Sequence, residues 1–228
     1  MKLLKSIAYN ILGRLKKILQ NHVIFEKNTR MDLVTTLGGY NKIYENTILV
    51  RSHIGVGTYI GPNSFVCNAS IGNYCSIGPN LYTLSGRHPI EIFVSTHPAF
   101  FSVQGQAGFS FVKKNKFTEY KYIDEHSKIC IQIKNDVWIG ANVTIAEGVT
   151  IGNGSVIGAN SLVLHDVEDF SVVAGSPAKF LKKRFDDKII MELIRLEWWN
   201  KGIDWLRLNS IHFDNIENFL NKVKNNND

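Results

Sequence analysis

The chain has 228 residues, of which 44% are hydrophobic and 11% aromatic, a composition that excludes intrinsic disorder and allows a proper core. The net charge is +6, but residues 1–22 hold five basic residues and no acidic one, which leaves 21 basic against 20 acidic residues elsewhere. Bulk binding of nucleic acid therefore has little support. The three cysteines, Cys67, Cys75 and Cys130, lack metal-ligand spacing, so we expect a reducing, cytoplasmic compartment.

Residues 1–22 are predicted to form a basic amphipathic helix, because their aliphatic side chains recur on one helical face with lysines elsewhere. No apolar run reaches the ~20 residues that span a membrane, and no small-residue cleavage site follows. Two interpretations stay open: the helix packs on the body or a partner subunit, or it lies peripherally on the inner face of the membrane. Residues 1–42 are thus expected to be this helix and a lead-in.

A six-residue period governs two blocks, residues 43–84 and 129–175. The stretch with the clearest period repeats an aliphatic residue every six positions, at Ile139, Ile145, Ile151, Ile157 and Val163. Such a period fits neither an α-helix nor a simple two-sided strand. It is typical of a parallel β-helix, whose short strands bend at Gly-Asn or Gly-Ala turns. We therefore predict a β-solenoid over residues 43–178, with about five coils stacked ~4.8 Å apart.

Two further segments depart from this rhythm. Residues 85–128 form one long insertion that carries three histidines and many phenylalanines, and long loops within compact domains are usually functional. We expect this loop to form the wall of a pocket. Residues 179–228 have helical periodicity in 186–199 and again in 214–224. They are predicted to form an α-helical cap over the open end of the solenoid.

The hexads, the His-Pro pairs in the insertion, and the segments WIGANV, VIGANS and GSPAK together resemble the hexapeptide-repeat acyltransferases. The chain is similar to the branch that includes the chloramphenicol and streptogramin (xenobiotic) acetyltransferases and many polysaccharide O-acetyltransferases; RFDDKIIMELIRLEWWN is similar to the tail of that branch. The resemblance implies a left-handed parallel β-helix, whereas the period alone leaves the hand open. It also implies a homotrimer with active sites between subunits, acetyl-CoA as the acyl donor, and no metal.

The catalytic residue that the resemblance implies is His88. In the family a histidine at the start of the insertion follows, by eight residues, the Asn of an I-x-P-N corner, and here Ile77-Gly78-Pro79-Asn80 leads to His88. Imidazole titrates near neutral pH and can take the acceptor's proton as its oxygen attacks the acetyl carbonyl. The same ring can then protonate the departing CoA thiolate, so no acyl-enzyme is needed.

The resemblance also implies a cofactor site. Ala141 and Ala159 match turn positions whose backbone pairs with the pantetheine arm, although each is also compatible with a tight corner only. Lys179 and Lys182 match basic positions that face the nucleotide phosphates, although a charge run is often simply solvated.

Three residues are candidates for contact with the acceptor. His97 follows the catalytic histidine within the inserted loop, and its alternative is loop packing. Trp138 opens the WIGANV hexad and could instead contact another subunit. Tyr40 is a candidate by position only.

From these observations we predict an acetyl-CoA-dependent O-acetyltransferase that acts on a sugar hydroxyl of a surface polysaccharide or its precursor. The phenylalanine-rich sequence HPIEIFVSTHPAFFS looks more like the polysaccharide members than the antibiotic members. The alternatives are a xenobiotic acetyltransferase that inactivates chloramphenicol or a streptogramin, and an amino-sugar N-acetyltransferase. A non-catalytic solenoid scaffold is a further alternative from a different functional class.

Overall fold

The computed structural model describes residues 21–225. The predicted N-terminal helix, residues 1–22, lies outside the described residues except for its last two positions. The described part is a β-solenoid built of three parallel sheets, followed by a helical segment. This arrangement confirms the solenoid that the six-residue period predicts.

The sheets are composed of very short strands, one for each side of each coil. Sheet A has eight strands: β1 (Ile24–Phe25), β4 (Lys42–Ile43), β7 (Tyr59–Ile60), β10 (Ser76–Ile77), β13 (Trp138–Ile139), β16 (Val156–Ile157), β18 (Ser171–Ala174) and β19 (Lys179–Lys183). Sheet B has six: β2 (Arg30–Met31), β5 (Ile48–Val50), β8 (Phe65–Cys67), β11 (Tyr82–Thr83), β14 (Thr144–Ile145) and β17 (Leu162–Val163). Sheet C has five: β3 (Thr36–Leu37), β6 (His53–Ile54), β9 (Ala69–Ile71), β12 (Ile131–Ile133) and β15 (Thr150–Ile151).

The core is a set of stacked aliphatic columns inside these sheets. Ile77 pairs in register with Ile60 in the preceding coil and with Ile139 in the next, and all three side chains are fully buried. Burial of one such side chain contributes roughly 1.5–3 kcal/mol. The repeat therefore stabilises the fold coil by coil, through contacts between neighbours in the stack.

The small-residue column of each hexad is also buried, and it includes hydroxyl groups that are hydrogen-bonded. Thr58 Oγ1 donates to the Gly72 carbonyl at 2.7 Å, and Thr47 Oγ1 donates to the Gly61 carbonyl at 3.0 Å. These bonds reach the backbone of the next coil, so that the hydroxyls remain satisfied away from water.

The corner between sheets A and B is formed by asparagines with left-handed backbone. Asn142 has a φ of 59°, which asparagine tolerates better than most residues. Its side chain accepts a hydrogen bond from Asn80 at 2.7 Å and donates one to Asn160 at 3.0 Å. Asn80, Asn142 and Asn160 thus form a hydrogen-bonded ladder along this edge.

The solenoid begins earlier than predicted. Ile24 pairs with Lys42, Arg30 with Ile48 and Thr36 with His53, all in parallel register. The lead-in therefore contains a full coil, and the estimates of a start at Ile43 and of about five coils were wrong. Phe25, Met31 and Leu37 continue the six-residue spacing back from Ile43 and are partly buried against the core. Phe and Met stand where later hexads have Ile, Leu or Val, so the pattern is harder to recognise there.

The C-terminal segment contains three α-helices: α1 (Asp187–Leu196), α2 (Ile203–Asn209) and α3 (Ile216–Asn225). Asp186 is the N-cap of α1, and its carboxylate accepts the Ile189 backbone N–H at 2.9 Å. The predicted helices are thus confirmed. No helix among residues 21–225 is long and apolar enough to cross a bilayer.

The sequence analysis predicted that these helices cap the open end of the solenoid. This prediction was wrong, because the helices lie on the flank of the solenoid. The Tyr74 ring contacts Trp198 with centroids 5.5 Å apart, and Asn73 Nδ2 donates to the Trp199 carbonyl at 3.1 Å. Tyr74 and Phe170 occupy the corner between sheets C and A with positive φ, so their rings point sideways toward the helices. Residues 179–183, predicted as part of the helical unit, instead form β19, which pairs antiparallel with β18 at the edge of sheet A.

The insertion at residues 85–128 is confirmed between β11 and β12. Its regular structure is limited to a 3-10 turn at Pro98–Phe100 and an antiparallel bridge between Asp124 and Ile129. Phe101 is fully buried, and its ring contacts Phe93 and Phe117 edge-on, with centroids 6.2 and 5.7 Å apart. The loop is therefore a folded unit with an aromatic core of its own.

Candidate functional site

His88 is exposed, and its ring is held from one side. Nδ1 lies 2.6 Å from the carbonyl oxygen of Thr96. Because a carbonyl can only accept, Nδ1 must carry the hydrogen, and in the neutral ring Nε2 keeps its lone pair. The ring also packs edge-on against Phe101, with centroids 5.7 Å apart and an interplanar angle of 85°. This arrangement fixes the tautomer that a general base requires.

The two residues before His88 are tied to the solenoid and to the far end of the insertion. The Gly86 backbone N–H donates to Glu147 Oε2 at 2.9 Å. Arg87 donates its backbone N–H to the Glu119 carbonyl at 2.8 Å and its Nε–H to the Thr118 carbonyl at 3.1 Å. The start of the loop is thus restrained directly before the candidate base.

A groove of about 400 Å³ lies beside His88. It is lined by Arg87, His88, Pro89, Ile90, Glu91, Ile92, Phe93 and Phe117. Ile90 and Ile92 are 81% and 90% exposed, so most of the wall is apolar and open to solvent. The sequence-based expectation of a pocket wall thus corresponds to a groove that includes the predicted base.

His97 lies in the same loop, directly after the residue whose carbonyl holds His88. Its ring stacks on Phe109, with centroids 5.9 Å apart, and its Nδ1 accepts the Ala99 backbone N–H at 3.3 Å. The ring is exposed but engaged by the loop, so this geometry is compatible with either of the two roles that the sequence leaves open.

Ala141 and Ala159 lie next to each other in successive coils. Asn160 N–H donates to the Ala141 carbonyl at 2.8 Å, and a Cβ added to Gly140 would lie only 2.6 Å from the Ala159 nitrogen. Small residues therefore leave the backbone accessible along this corner between sheets A and B.

The two lysines follow at the end of the same sheet. Lys179 pairs with Ala174 and Lys182 with Val172 across the antiparallel β18–β19 ladder. Val172 is in register with Val156, which is in register with Trp138. The structure thus brings the four predicted cofactor residues and Trp138 to one region, formed by sheet A and its corner with sheet B. Trp138 is 58% exposed there.

Tyr40 lies elsewhere, at the corner between sheets C and A. Its ring stacks on His22 with centroids 4.7 Å apart. The His88 loop leaves the solenoid at the corner between sheets B and C, where Gly86 meets Glu147. The predicted site residues are therefore distributed over three corners of one chain, and the structure does not bring His88 together with Ala141 and Ala159.

None of the cysteines is a suitable nucleophile. Cys67, Cys75 and Cys130 are free, and burial raises the pKa of Cys75 and of Cys130 to about 12. Burial also raises the pKa of Cys67. The thiols therefore remain protonated near neutral pH. Since the thiolate and not the thiol is the nucleophile, none of them is suited to attack an acetyl group. Within residues 21–225, no group of three or more His, Cys, Asp or Glu side chains is arranged to hold a metal ion.

Sequence analysis missed three groups around His88: the Thr96 carbonyl, Arg87 and Glu147. A backbone carbonyl has no sequence signature. Glu147 could have been found by counting register, because Thr83 pairs with Ile145 and residues that follow such a pair stay adjacent through the next turn.

Comparisons with known proteins match the solenoid and its sequence repeats. The family described as bacterial transferase hexapeptide, with six repeats, matches residues 130–165. A probable macrolide acetyltransferase of Lysinibacillus sphaericus is 53% identical over 85 residues, which are 37% of this chain and 44% of that protein. A chloramphenicol acetyltransferase of Klebsiella aerogenes is 36% identical over 139 residues, 60% of this chain and 61% of that protein. The matches therefore span about half to three fifths of these relatives.

Among solved structures, a mutant of AntD, an N-acyltransferase from Bacillus cereus in complex with dTDP and coenzyme A, superposes with a TM-score of 0.57. The superposition covers 81% of this chain and 95% of that one at 17% sequence identity, a likeness that concerns the fold. The sequence relatives and the family match are more specific. This chain is therefore similar to the hexapeptide-repeat acetyltransferases, and within them to the chloramphenicol and macrolide acetyltransferases.

Proposed function

We propose that this protein transfers acetyl from acetyl-CoA to a hydroxyl group of a small xenobiotic acceptor. The observation that carries the proposal is His88, an exposed imidazole beside a groove, with Nδ1 held by the Thr96 carbonyl at 2.6 Å. The sequence favoured a sugar hydroxyl of a surface polysaccharide, with the xenobiotic acceptor as the alternative. That alternative has more support, because both sequence relatives are named as acetyltransferases of antibiotics.

The proposed chemistry is direct transfer. His88 Nε2 accepts the hydroxyl proton while the acceptor oxygen forms a bond to the acetyl carbonyl carbon. The carbon–sulfur bond then breaks, and the imidazolium returns the proton to the CoA thiolate. The Thr96 carbonyl stabilises the charged ring through Nδ1–H, and a general base of this kind contributes typically about 10²–10⁴-fold to the rate.

We propose that the donor binds along the corner of Ala141 and Ala159, where small side chains expose the backbone to the pantetheine arm. Lys179 and Lys182 would then face the nucleotide phosphates. Lys183 pairs with Asp187 at 2.9 Å, whereas Lys179 and Lys182 form no ion pair within residues 21–225. Their charges are thus available to a phosphate.

The proposed assembly is a homotrimer of left-handed solenoids with sites between subunits. The wide separation of the His88 corner from the Ala141 corner supports this assembly, because a second copy can bring the two corners together. Trp138, His97 and Tyr40 would contact the acceptor in that assembly. A cytoplasmic location, with residues 1–22 on the trimer or on the inner membrane face, remains our prediction.

The test offers acetyl-CoA with chloramphenicol, a macrolide, a streptogramin A or a surface glycan, and identifies acetylated products by mass spectrometry. We expect O-acetylation of at least one antibiotic, and His88→Ala should lower kcat about 10²–10⁴-fold with CoA affinity nearly unchanged. His126→Ala is the matched control, because His126 is an exposed histidine of the same loop. Turnover of the glycan alone would contradict the proposed acceptor, and an undiminished His88→Ala variant would contradict the mechanism.

A further inference from the structure

Glu147 lies in the turn between β14 and β15, against the start of the inserted loop. Its Oε2 accepts the Gly86 backbone N–H at 2.9 Å, and its Oε1 lies 3.8 Å from Arg87 Nε. The side chain is only 12% exposed. A carboxylate this well covered is costly unless it is hydrogen-bonded or paired, so these two contacts account for its presence in the turn.

The hydrogen bond between Gly86 and Glu147 follows directly after the last backbone hydrogen bond of sheet B on this side. The Leu84 N–H donates to the Ile145 carbonyl at 2.9 Å, which is the last rung on this side before the chain leaves the solenoid. Gly86 then takes a φ of 103°, a conformation that glycine adopts without strain. Glu147 supplies the next acceptor and so extends the ordered stack to within two residues of His88.

The other carboxylate oxygen of Glu147, Oε1, lacks a hydrogen-bond donor among the described residues. It is buried, while Arg87 Nε donates to the Thr118 carbonyl instead. Arg87 is therefore attracted by two acceptors, one on the solenoid and one on the far end of the insertion. The guanidinium also lies over the Phe117 ring, 5.4 Å from its centroid.

From this geometry we propose that Glu147 is a positioning residue for His88. It contacts neither substrate nor the imidazole; it fixes the backbone at Gly86 and the side chain of Arg87, and thereby the origin of the segment that carries the base. This inference rests on the proposed function. The physical reason is that catalysis depends steeply on the placement of the base, and a displacement of about 1 Å can cost roughly 10²-fold in rate.

The test compares Glu147→Ala and Glu147→Gln with the wild-type protein. The alanine variant loses both contacts, and we expect kcat to fall roughly 10–100-fold while the KM for acetyl-CoA and the Kd for CoA change less than about twofold. The glutamine variant keeps an oxygen for the Gly86 N–H and should stay within about threefold of wild-type kcat. Glu26→Ala is the control, since Glu26 pairs with Lys42 at 3.0 Å at the other end of the solenoid.

Each outcome is decisive once the folded fraction has been measured by thermal unfolding. Loss of thermal stability in Glu147→Ala with unchanged kcat per folded enzyme would overturn the proposal, because the residue would then be only structural. If the glutamine variant has a kcat as low as that of the alanine variant, the hydrogen bond from the Gly86 N–H is not what positions His88, and the proposal is overturned. A wild-type protein without any acetyl transfer would instead refute the proposed function itself.

Discussion

Replacing Phe101 by leucine should loosen the inserted loop without unfolding the solenoid. The Phe101 ring is fully buried and makes edge contacts with three aromatic rings, those of His88, Phe93 and Phe117, at centroid distances of 5.7, 6.2 and 5.7 Å. Each such contact is worth about 0.5–1.5 kcal/mol beyond the buried area, so leucine should cost the loop roughly 2–4 kcal/mol. The solenoid columns do not include Phe101 and should keep their stability.

Amide hydrogen exchange measures this difference locally. Phe111 N–H and Lys116 N–H donate to carbonyls within the loop, each at 2.8 Å, and their protection should fall roughly 10–10³-fold in Phe101→Leu. The kcat should fall as well, because the ring supports His88. The control is Phe109→Leu, since Phe109 is 51% exposed in the same loop. Unchanged protection at both amides, or an equal loss across the solenoid strands, would refute the idea of a separately stabilised loop.

Two further predictions follow from the charges. Lys179→Ala combined with Lys182→Ala should raise the KM for acetyl-CoA about tenfold with kcat nearly unchanged, and the effect should shrink at high salt. Lys188→Ala, on exposed helix surface, is the control, and a salt-independent KM would contradict phosphate binding. Burial raises the pKa of Asp136 above its ordinary 3.8, although Arg184 opposes the shift; the folded state therefore holds this proton more tightly than the unfolded state. The stability of the wild type relative to Asp136→Asn should then fall as pH rises above 3.8, and a constant difference in unfolding free energy across that range would contradict it.

The hexad pattern translates directly into structure because it is a local rule. Ile139, Ile145 and Ile151 are each fully buried on three successive strands, as their six-residue spacing predicts. The prediction was wrong at the first coil, where the column residues are of other types, and at the C-terminal helices, where aromatic side chains direct the packing. In the first coil Phe25 and Met31 take the column positions that Ile, Leu or Val occupy in later hexads, and Phe170 packs with the C-terminal helices on the flank of the solenoid.

The sequence by itself determined the solenoid and the position of its insertion, since both depend on residue types at short and regular spacing; His88 as the candidate base is what the resemblance to the family implies. Only the tertiary structure decided the tautomer of His88, because the Thr96 carbonyl that sets it is backbone. It alone also revealed the contact of Glu147 with Gly86, which joins positions 61 residues apart. The tertiary structure also placed the candidate site residues at three different corners, because consecutive strands of the chain belong to different sheets of the solenoid.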